Sequence, residues 1–421
     1  MDKTFSPANI LIPSGERCDM TAWSVVACDQ YTSEPKYWEK AEKTVGDRPS
    51  SLRITFPEIY LGREDKEERI NAINSTMENY LAQGIFEEYP DSFIYTERTL
   101  AGGGVRKGLI GRIDLEAYDY SKGSQSPVRA TEGTVLERIP PRVAIRKDAA
   151  LEIPHIMLLI DDPKRTVIEP VARKKNELEK IYDFDLMLDG GHIEGYLANS
   201  EAGNIGEALT ALADKEGFEK RYNVSDRGVL LFAVGDGNHS LATAKECFER
   251  IKTTMPREQW EKHPARYALV EVVNLHDSSL DFEPIHRVVF EVNTNHLLQE
   301  LTRYYDVSFD ETDGQSFSYI TATGEGSMKI NNPSSNLTVG SLQNFLDWYI
   351  GRFGGRIDYI HGDEVVRALS ANLGTIGFLL PNISKAELFP TVILDGALPR
   401  KTFSMGHAND KRFYLEARKI K

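Results

Sequence analysis

The chain has 421 residues, of which 41% are hydrophobic and 27% charged, and it carries a formal net charge of −14 at pH 7. This composition is that of an ordinary globular protein, and the length predicts two or three substructures around separate cores. The acidic balance disfavours an extended nucleic-acid surface, because phosphate-backbone binding depends on clustered Lys and Arg. We therefore do not expect a nucleic-acid partner, and the sequence leaves the oligomeric state open.

The amino-terminal segment MDKTFSPANILIPSGERC lacks the apolar run of a secretory signal, and no later run approaches the length of a membrane span. We expect a cytoplasmic protein without a membrane partner. The three cysteines, Cys18, Cys28 and Cys247, form no Cys-x-x-Cys pair. Their odd number and wide spacing predict free thiols instead of a disulfide framework or a structural zinc site.

Residues 1–130 predict an α+β region. The stretch EDKEERINAINSTMENYLAQG predicts a helix, because Ile70, Ile73 and Met77 fall on one face. The next stretch, FIYTERTLAGGGVRKGLIGRIDL, has two strand-like runs around the glycines at 102–104. It predicts a β-hairpin with a glycine turn.

Residues 131–292 predict a core with mixed sheets. HIMLLID is typical of a buried strand, RTVIEPVARKKNELEKIYD predicts a helix, and FDLMLDGGHIEGYLA predicts a second hairpin. A short apolar run, Leu230 to Val234, predicts another strand because it is rich in aromatic and β-branched residues. The glycine turn that follows leads into a predicted helix for which Ser240 is a good N-cap.

Residues 293–390 predict an additional α/β lobe, with helix, strand, helix, strand, helix and strand in succession. Residues 391–421 are expected to return to the core. The whole pattern predicts a mixed α/β, or α+β, fold with helices packed on mixed sheets.

The sharpest functional signal is GDGNHS at the end of the predicted strand. A glycine turn followed by a helix start exposes backbone amides and the positive end of a helix dipole, which favours an anion such as phosphate. Asp236 is a candidate metal ligand or proton acceptor, and His239 is a candidate phosphate donor, acid or base. The alternative is a turn in which Asp236 and Asn238 satisfy only local backbone groups.

Later segments supply further candidate ligand-binding residues, which are His286 and Arg287 in DFEPIHRVVF and Arg400, Lys401 and Thr402 in ALPRKTFS. An arginine fork suits carboxylate or phosphate, and a histidine can change its charge near neutral pH. The alternatives are a packed histidine, a structural salt bridge and a solvated loop. Two more candidates are Asp29, which follows an apolar run, and His192, which follows a hairpin turn.

Several common enzyme signatures are absent from the sequence. It contains no H-E-x-x-H, no G-x-S-x-G and no Walker-type loop, and GDGNHS lacks the third glycine or alanine of a dinucleotide fingerprint. These patterns argue against a zinc protease, an α/β-hydrolase, a P-loop kinase and a Rossmann dehydrogenase.

GDGNHSLATAK, followed by YALVEVVNLHDSSLDFEPIHRVV and LPRKTFS, resembles the bacterial and archaeal domain-of-unknown-function family 1015 over nearly the whole chain. Members typically carry Asp-Gly-His-His-Arg at the first motif, which is similar to the signature of the ParB and sulfiredoxin-like fold. The resemblance implies a ParB/sulfiredoxin-like core that binds a nucleotide or phosphate. It further implies ADP or ATP with Mg²⁺ and phosphoryl transfer to a small polar metabolite such as serine, in serine metabolism. Asp29 and His192 are the nearest matches to an Asp and a His that recur in the family.

The chain departs from that motif at Asn238 and Ser240, which replace the family's first histidine and its arginine. The loss of a bidentate arginine removes a strong charge-assisted contact. Two hypotheses therefore remain: a phosphotransferase or phosphate-ester enzyme, and a non-catalytic sensor of a metabolite or nucleotide. In the enzyme, the amides of residues 237–240 hold phosphate, Asp236 binds Mg²⁺ or positions the acceptor, and Arg287 with Lys401 neutralises charge.

Overall fold

A computed structural model describes residues 4–133, 139–309 and 314–421. The helices, numbered in chain order, are α1 (Met20–Trp23), α2 (Pro35–Val45), α3 (Lys66–Ala82), α4 (Ile139–Arg146), α5 (Ile168–Arg173), α6 (Ala202–Leu212), α7 (Lys215–Tyr222), α8 (Asn238–Thr254), α9 (Arg257–Trp260), α10 (Thr294–Tyr304), α11 (Thr338–Phe353), α12 (Asp363–Ser370) and α13 (Lys385–Leu394). Across these ranges, no helix has both the length and the apolar character that crossing a bilayer requires.

The strands, numbered in the same way, are β1 (Phe5–Ser6), β2 (Ala8–Pro13), β3 (Phe86–Ser92), β4 (Ile94–Thr99), β5 (Val105–Asp114), β6 (Tyr118–Asp119), β7 (Val128–Ala130), β8 (Leu151–Glu152), β9 (Met157–Ile160), β10 (Glu179–Asp185), β11 (His192–Leu197), β12 (Phe232–Asp236), β13 (Tyr267–Asn274), β14 (Phe282–Phe290), β15 (Val307–Ser308), β16 (Gln315–Thr321), β17 (Gly324–Ile330), β18 (Arg356–His361), β19 (Ile376–Leu379), β20 (Phe403–Met405) and β21 (Arg418–Lys419). Helices and sheets with both parallel and antiparallel pairs confirm the predicted mixed α/β class.

The chain divides into two compact units. The first comprises Met1–Leu280 together with His407–Lys421, and the second comprises Asp281–Gly406. The last fifteen residues therefore belong to the same unit as the amino-terminal part of the chain.

The first unit is organised around a sheet to which ten of the described strands contribute. Its order is β10-β11-β4-β5-β13-β9-β12-β7-β6, and β1 also pairs with β5. In the centre, β9 runs parallel to β13 and antiparallel to β12, whereas β12 runs parallel to β7. As a result, β12 and β7 end at the edge of the sheet where β9 begins.

The two faces of this sheet differ because side chains alternate along each strand. Along β13, Val270 and Val272 belong to the main apolar core, which also contains Leu241 and Phe248 of α8. The opposite face of β13 carries Glu271, which is buried. There the carboxyl-terminal segment covers the sheet, since the guanidinium of Arg412 donates to Glu271 (Nε to Oε2, 2.8 Å).

The second unit contains a sheet built from seven of the described strands in the order β15-β17-β16-β19-β14-β18, with β20 also paired to β14. The predicted succession of strand, helix and strand within IDYIHGDEVVRALSANLGTIGFLLPNI is confirmed by β18, α12 and β19. The predicted helix in SLQNFLDWYIGRFG is confirmed by α11, which ends before Gly354.

Both predicted hairpins of the first unit are present, as β4 with β5 and β10 with β11. The predicted helix over RTVIEPVARKKNELEKIYD is wrong beyond Arg173, where α5 ends. The residues Glu179–Asp185 form β10 instead. Their charged composition suits a helix, but pairing with β11 determines the conformation, as tertiary context often overrides local propensity.

Candidate functional site

The GDGNHS motif lies where β12 turns into α8. Gly237 has a left-handed backbone (φ +78°) and α8 begins at the next residue, Asn238, without a side-chain cap. The prediction that Ser240 caps this helix is wrong. The left-handed turn at Gly237 brings the chain into helical conformation three residues earlier, so Ser240 lies inside the first turn.

Gly237 is required by both backbone angle and space. A Cβ atom at this position would lie 3.0 Å from Cα of Ile156, and a left-handed backbone costs a non-glycine residue about 1–2 kcal/mol. We therefore expect Gly237→Ala to lower the free energy of unfolding by about 2 kcal/mol, measured by urea denaturation.

Gly203→Ala is the matched control for that substitution. Gly203 lies within α6, and an added Cβ would meet nothing within 4 Å. Alanine should leave stability unchanged or raise it by about 0.5–1 kcal/mol. Equal losses in the two variants would contradict the special role of Gly237.

Asn238 fastens the start of α8 to the neighbouring strand. Its Oδ1 accepts from the backbone N–H of Thr131 (3.2 Å), and its Nδ2 donates to the hydroxyl of the same residue (3.3 Å). Thr131 follows β7, and it reaches this corner because β7 and β12 are parallel and end at the same edge. The side chain that replaces the family's histidine therefore makes structural contacts here.

A buried histidine, His155, lies beside the first turn of α8. Its Nε2 is 3.4 Å from Oγ of Ser240 and 3.7 Å from Oδ2 of Asp29. Its Nδ1 is 2.9 Å from the hydroxyl of Tyr414. His155 precedes β9, whose first residue, Met157, is the register partner of Asp236. The imidazole thus connects three segments that are far apart in the sequence.

The electrostatics of this cluster favour a charged pair. Burial opposes protonation of His155, but the carboxylates of Asp29, Asp236 and Glu58 together raise its pKa above 6.5. Burial alone would raise the pKa of Asp29, yet His155, Gln30 and Lys411 together hold that pKa well below 3.8. The imidazolium and the Asp29 carboxylate therefore stabilise each other.

A cysteine completes this cluster, but as a poor nucleophile. Burial, with the nearby Asp29 charge, raises the pKa of the Cys28 thiol to about 12. Its sulfur accepts a hydrogen bond from the Tyr414 hydroxyl (3.0 Å). Because the thiolate is the reactive form, Cys28 is inert near neutral pH. All three cysteines are unpaired, as predicted.

The pair of His155 and Asp29 should make stability depend on pH. With its pKa raised, His155 stabilises the fold fully below pH 6.5, and this contribution disappears as the pH rises through the folded-state value. With its pKa lowered, Asp29 contributes above pH 3.8 and loses that contribution as the pH falls through its folded-state value. We expect His155→Gln to lower the free energy of unfolding more at about pH 5.5 than at about pH 8.5. An equal loss at both values would contradict the ion pair.

Lys411 brings a second cation to the turn from β12 into α8, residues 235–240, which we call the GDGNHS corner. Its Nζ is 3.4 Å from Oδ2 of Asp236, whose Oδ1 accepts from the amide of Gly237 (2.9 Å). The segment around Lys411 is held by two buried arginines: Arg98 donates to the carbonyl oxygens of residues 409 and 411, and Arg106 donates to that of residue 410. The carboxyl-terminal segment is thereby fixed with its lysine at the predicted site.

A family model described as "Protein of unknown function (DUF1015)" matches residues 13–349. The chain belongs to the DUF1015 family. The predicted resemblance to this family is therefore confirmed, and the matched residues include GDGNHS and DFEPIHRVV but not LPRKTFS.

The solved structures that match this DUF1015 protein share little of its sequence. A conserved hypothetical protein from Pyrococcus furiosus is 12% identical with a TM-score of 0.36, covering 74% of this chain and 94% of that chain. A mutant free serine kinase in complex with ADP is 11% identical with a TM-score of 0.39, covering 77% and 95%. SbnI from Staphylococcus aureus, truncated at its carboxyl terminus, is 10% identical with a TM-score of 0.36, covering 70% and 82%. No curated protein matches the chain.

Three predicted residues meet at the GDGNHS corner. His155 lies beside Asp29 and Ser240, and Lys411 lies beside Asp236. His239, also predicted, is half-buried in the first turn of α8, and its carbonyl oxygen accepts from the Thr243 hydroxyl (2.7 Å). Its role as donor or acid stays a prediction.

His192 lies in the hairpin of β10 and β11, where it forms ion pairs with Asp183 (2.9 Å) and Asp185 (2.7 Å). Both carboxylates raise its pKa, with the hydrogen bond to Asp185 as the largest cause. None of these contacts involves the corner residues. The ligand role of His192 also stays a prediction.

Arg287 lies in the second unit and is completely buried. Its guanidinium donates to the side chain of Gln343 and to the carbonyl oxygens of Ile285, Arg400 and Lys401. These contacts stabilise the turn before β20. An anion bound by Arg287 would have to replace these internal acceptors, so they compete with the predicted phosphate contact.

Three other predicted residues of the second unit, His286, Arg400 and Thr402, also have internal partners. His286 accepts from the amide of Leu380 at Nδ1 (3.1 Å) and pairs with Asp363 at Nε2 (2.9 Å), and burial lowers its pKa. Arg400 pairs with Asp347 (2.6 Å), and the Thr402 hydroxyl donates to the carbonyl of residue 399. Lys401 has a left-handed backbone (φ 54°). Their predicted ligand contacts stay predictions.

Sequence reasoning missed His155, Lys411 and Tyr414. His155 was hidden at the start of the apolar stretch HIMLLID, where a lone polar residue before a buried strand was the only available signal. Lys411 and Tyr414 lie in NDKRFYLEARK, which has no motif or periodicity that indicates a site.

Proposed function

We propose that this DUF1015 protein is a phosphate- or nucleotide-binding enzyme that transfers a phosphoryl group to a small polar metabolite such as serine. One observation carries the proposal: a buried imidazole, paired with Asp29, lies at the uncapped start of α8 beside Lys411 and Asp236. This combination supplies donors for an anion, a compensated cation and two carboxylates within one corner.

Phosphate binding would use the start of α8. The first-turn amides of a helix lack intrahelical partners and favour negative charge. α8 has seventeen residues and no side-chain cap, so its full dipole is directed at the corner. The ammonium of Lys411, 3.4 Å from Oδ2 of Asp236, adds a charge-assisted donor.

Proton transfer would use Asp29. In the proposed reaction, the metabolite's hydroxyl oxygen forms a bond to phosphorus, the bond between phosphorus and the nucleotide's bridging oxygen breaks, and the hydroxyl proton moves to the Asp29 carboxylate. The imidazolium of His155 and the ammonium of Lys411 stabilise the negative charge that this transfer develops. The depressed pKa of Asp29 keeps the carboxylate ionised at neutral pH, so it can accept a hydrogen bond from the hydroxyl and takes the proton only as the bond to phosphorus forms and makes that proton acidic.

Asp236 is the residue that would hold Mg²⁺. Within the described ranges, it belongs to no cluster of three His, Cys, Asp or Glu ligands. A single carboxylate fits Mg²⁺ that is also bound by substrate phosphates, because this ion retains several waters and rarely uses an all-protein cage. When bound, Mg²⁺ supplies neutralisation of phosphate charge.

The second candidate function is a non-catalytic sensor that uses the same corner. It is favoured by Ser240, since the family's arginine is replaced by a short hydroxyl that lies 3.4 Å from His155. Without a guanidinium clamp, the site loses a strong contact to the transferred group.

Calorimetric titration with ATP, ADP and AMP, each with and without Mg²⁺, tests ligand binding by both candidates. In a separate unfolding measurement, a nucleotide present at about 100 times its Kd should raise the free energy of unfolding by about 2.7 kcal/mol. Phosphorus NMR of ATP mixed with serine and related hydroxyl metabolites then separates the two: phosphorylated product supports the enzyme, and binding without turnover supports the sensor. Absence of binding by every nucleotide and phosphorylated metabolite would reject both.

A further inference from the structure

A cavity lies in the first unit, on a different set of elements from the GDGNHS corner. Its volume is about 240 Å³. It is bounded by residues of β2, β3, β5 and β21 and by the segment that leads into β13. The charged and aromatic side chains that line it are Glu88, Arg112, Lys262, Tyr267, Arg418 and Lys419.

The lining is strongly basic, although the chain as a whole carries a net charge of −14. Four of the lining side chains are cationic and Glu88 is anionic. Lys419 pairs with Glu88 (3.0 Å), so these two charges compensate each other. The remaining cations, Arg112, Lys262 and Arg418, decide the potential inside the cavity.

Arg418 forms the buried wall and is only 4% exposed. Its Nε donates to Glu152 (2.7 Å), and two further donors bind the carbonyl oxygens of Pro264 and Tyr267. Glu152 is shared with a second arginine, Arg146 (2.5 Å), so one carboxylate balances two guanidinium groups. Burial lowers the pKa of Arg418, and the charges of Arg146 and Arg112 act in the same direction.

Arg112 and Lys262 have no carboxylate partner among the residues that the structure describes. Nε of Arg112 donates to the hydroxyl of Ser6 (3.1 Å), and its guanidinium stacks on the ring of Tyr267 at 4.1 Å. This stacking orients the planar fork without neutralising it. Lys262 is exposed at the opening of the cavity.

We propose that this cavity binds a phosphate group, either as the inorganic ion or as the head of a small phosphate monoester. Two uncompensated cations match the charge of about −1.5 to −2 that a phosphate monoester carries at pH 7. The volume corresponds to roughly eight water molecules, below the usual 300–1,000 Å³ of drug-sized ligand pockets. This space accommodates a phosphate group or a small ester, and the residues that line it are different from those at the start of α8.

The test is calorimetric titration of the full chain with inorganic phosphate and with glycerol 3-phosphate at constant ionic strength. Lys262→Ala and Arg112→Gln should each weaken phosphate binding roughly tenfold or more, because each removes a charged donor. Lys220→Ala, which removes an exposed lysine from α7, is the matched control and should leave affinity unchanged. Competition between the two ligands indicates that esters enter the cavity, and binding of inorganic phosphate alone identifies the free ion as its ligand.

Because the corner is also proposed to bind phosphate, Lys411→Ala locates the measured binding. Retention of phosphate affinity in Lys411→Ala, with its loss in Lys262→Ala, supports the second site. The reverse pattern, equal loss in Lys220→Ala, or no saturable binding at about 10 mM phosphate would overturn it. Unfolding curves for each variant show that any loss occurs in folded protein, and Lys262→Ala removes no described structural contact of its ammonium.

Discussion

Replacing His155 by glutamine should lower the rate of phosphoryl transfer from ATP by about 100- to 1,000-fold, the range typical of a lost donor that stabilises developing negative charge. Glutamine keeps a hydrogen-bonding side chain of similar length but carries no positive charge. The developing charge on the transferred group would lose the imidazolium, and Asp29 would lose the partner that holds its pKa low. Steady-state kinetics by a coupled ADP-release assay measures the effect.

The matched control is His263→Gln. His263 is half-buried at the turn before β13, where its Nδ1 accepts from the amide of Ala265 (3.1 Å), a contact that a glutamine oxygen can replace. This variant should retain activity within about threefold. Full activity in His155→Gln, with nucleotide binding intact, would remove His155 from the proposed reaction. A parallel loss of binding and activity in His155→Gln would assign it to ligand binding instead.

A second large effect is expected on stability from Arg412→Met. Arg412 is buried and donates to Glu271 (2.8 Å), to Glu416 (2.5 Å) and to the carbonyl of residue 154 (2.9 Å). The two carboxylates hold its pKa above its usual range despite the opposing effect of burial. Removing one member of a buried ionic network leaves uncompensated charges, so we expect a loss of about 3–5 kcal/mol in the free energy of unfolding. Urea denaturation measures this loss.

Two comparisons make the Arg412 result specific. Arg257→Met removes an exposed arginine that pairs with Glu261 and should change stability by no more than about 0.5 kcal/mol. Arg412→Met combined with Glu416→Gln should be more stable than Arg412→Met alone, because the second change removes a stranded charge. A single-variant loss below about 1 kcal/mol would show that the network contributes little.

Sequence predictions succeeded where the stabilising interactions join residues close in the chain, and they failed where those interactions join distant residues. The hairpin of β4 and β5 and the amphipathic α3 were predictable, because glycine turns and apolar periodicity act between residues close in the chain. The helix predicted over Glu179–Asp185 failed because β11, reached through the next turn, provides a pairing partner that outweighs local propensity.

The sequence by itself determined the mixed α/β class, the family and the strand, glycine and helix order at the GDGNHS motif. It could not place Asp29, His155 and Lys411 beside that motif. Their approach depends on β9 running antiparallel to β12 and on a carboxyl-terminal segment held by Arg98 and Arg106. Such contacts join residues separated by 85 to 313 positions, and their energy exists only after the sheet has formed, so no local pattern in the chain encodes them.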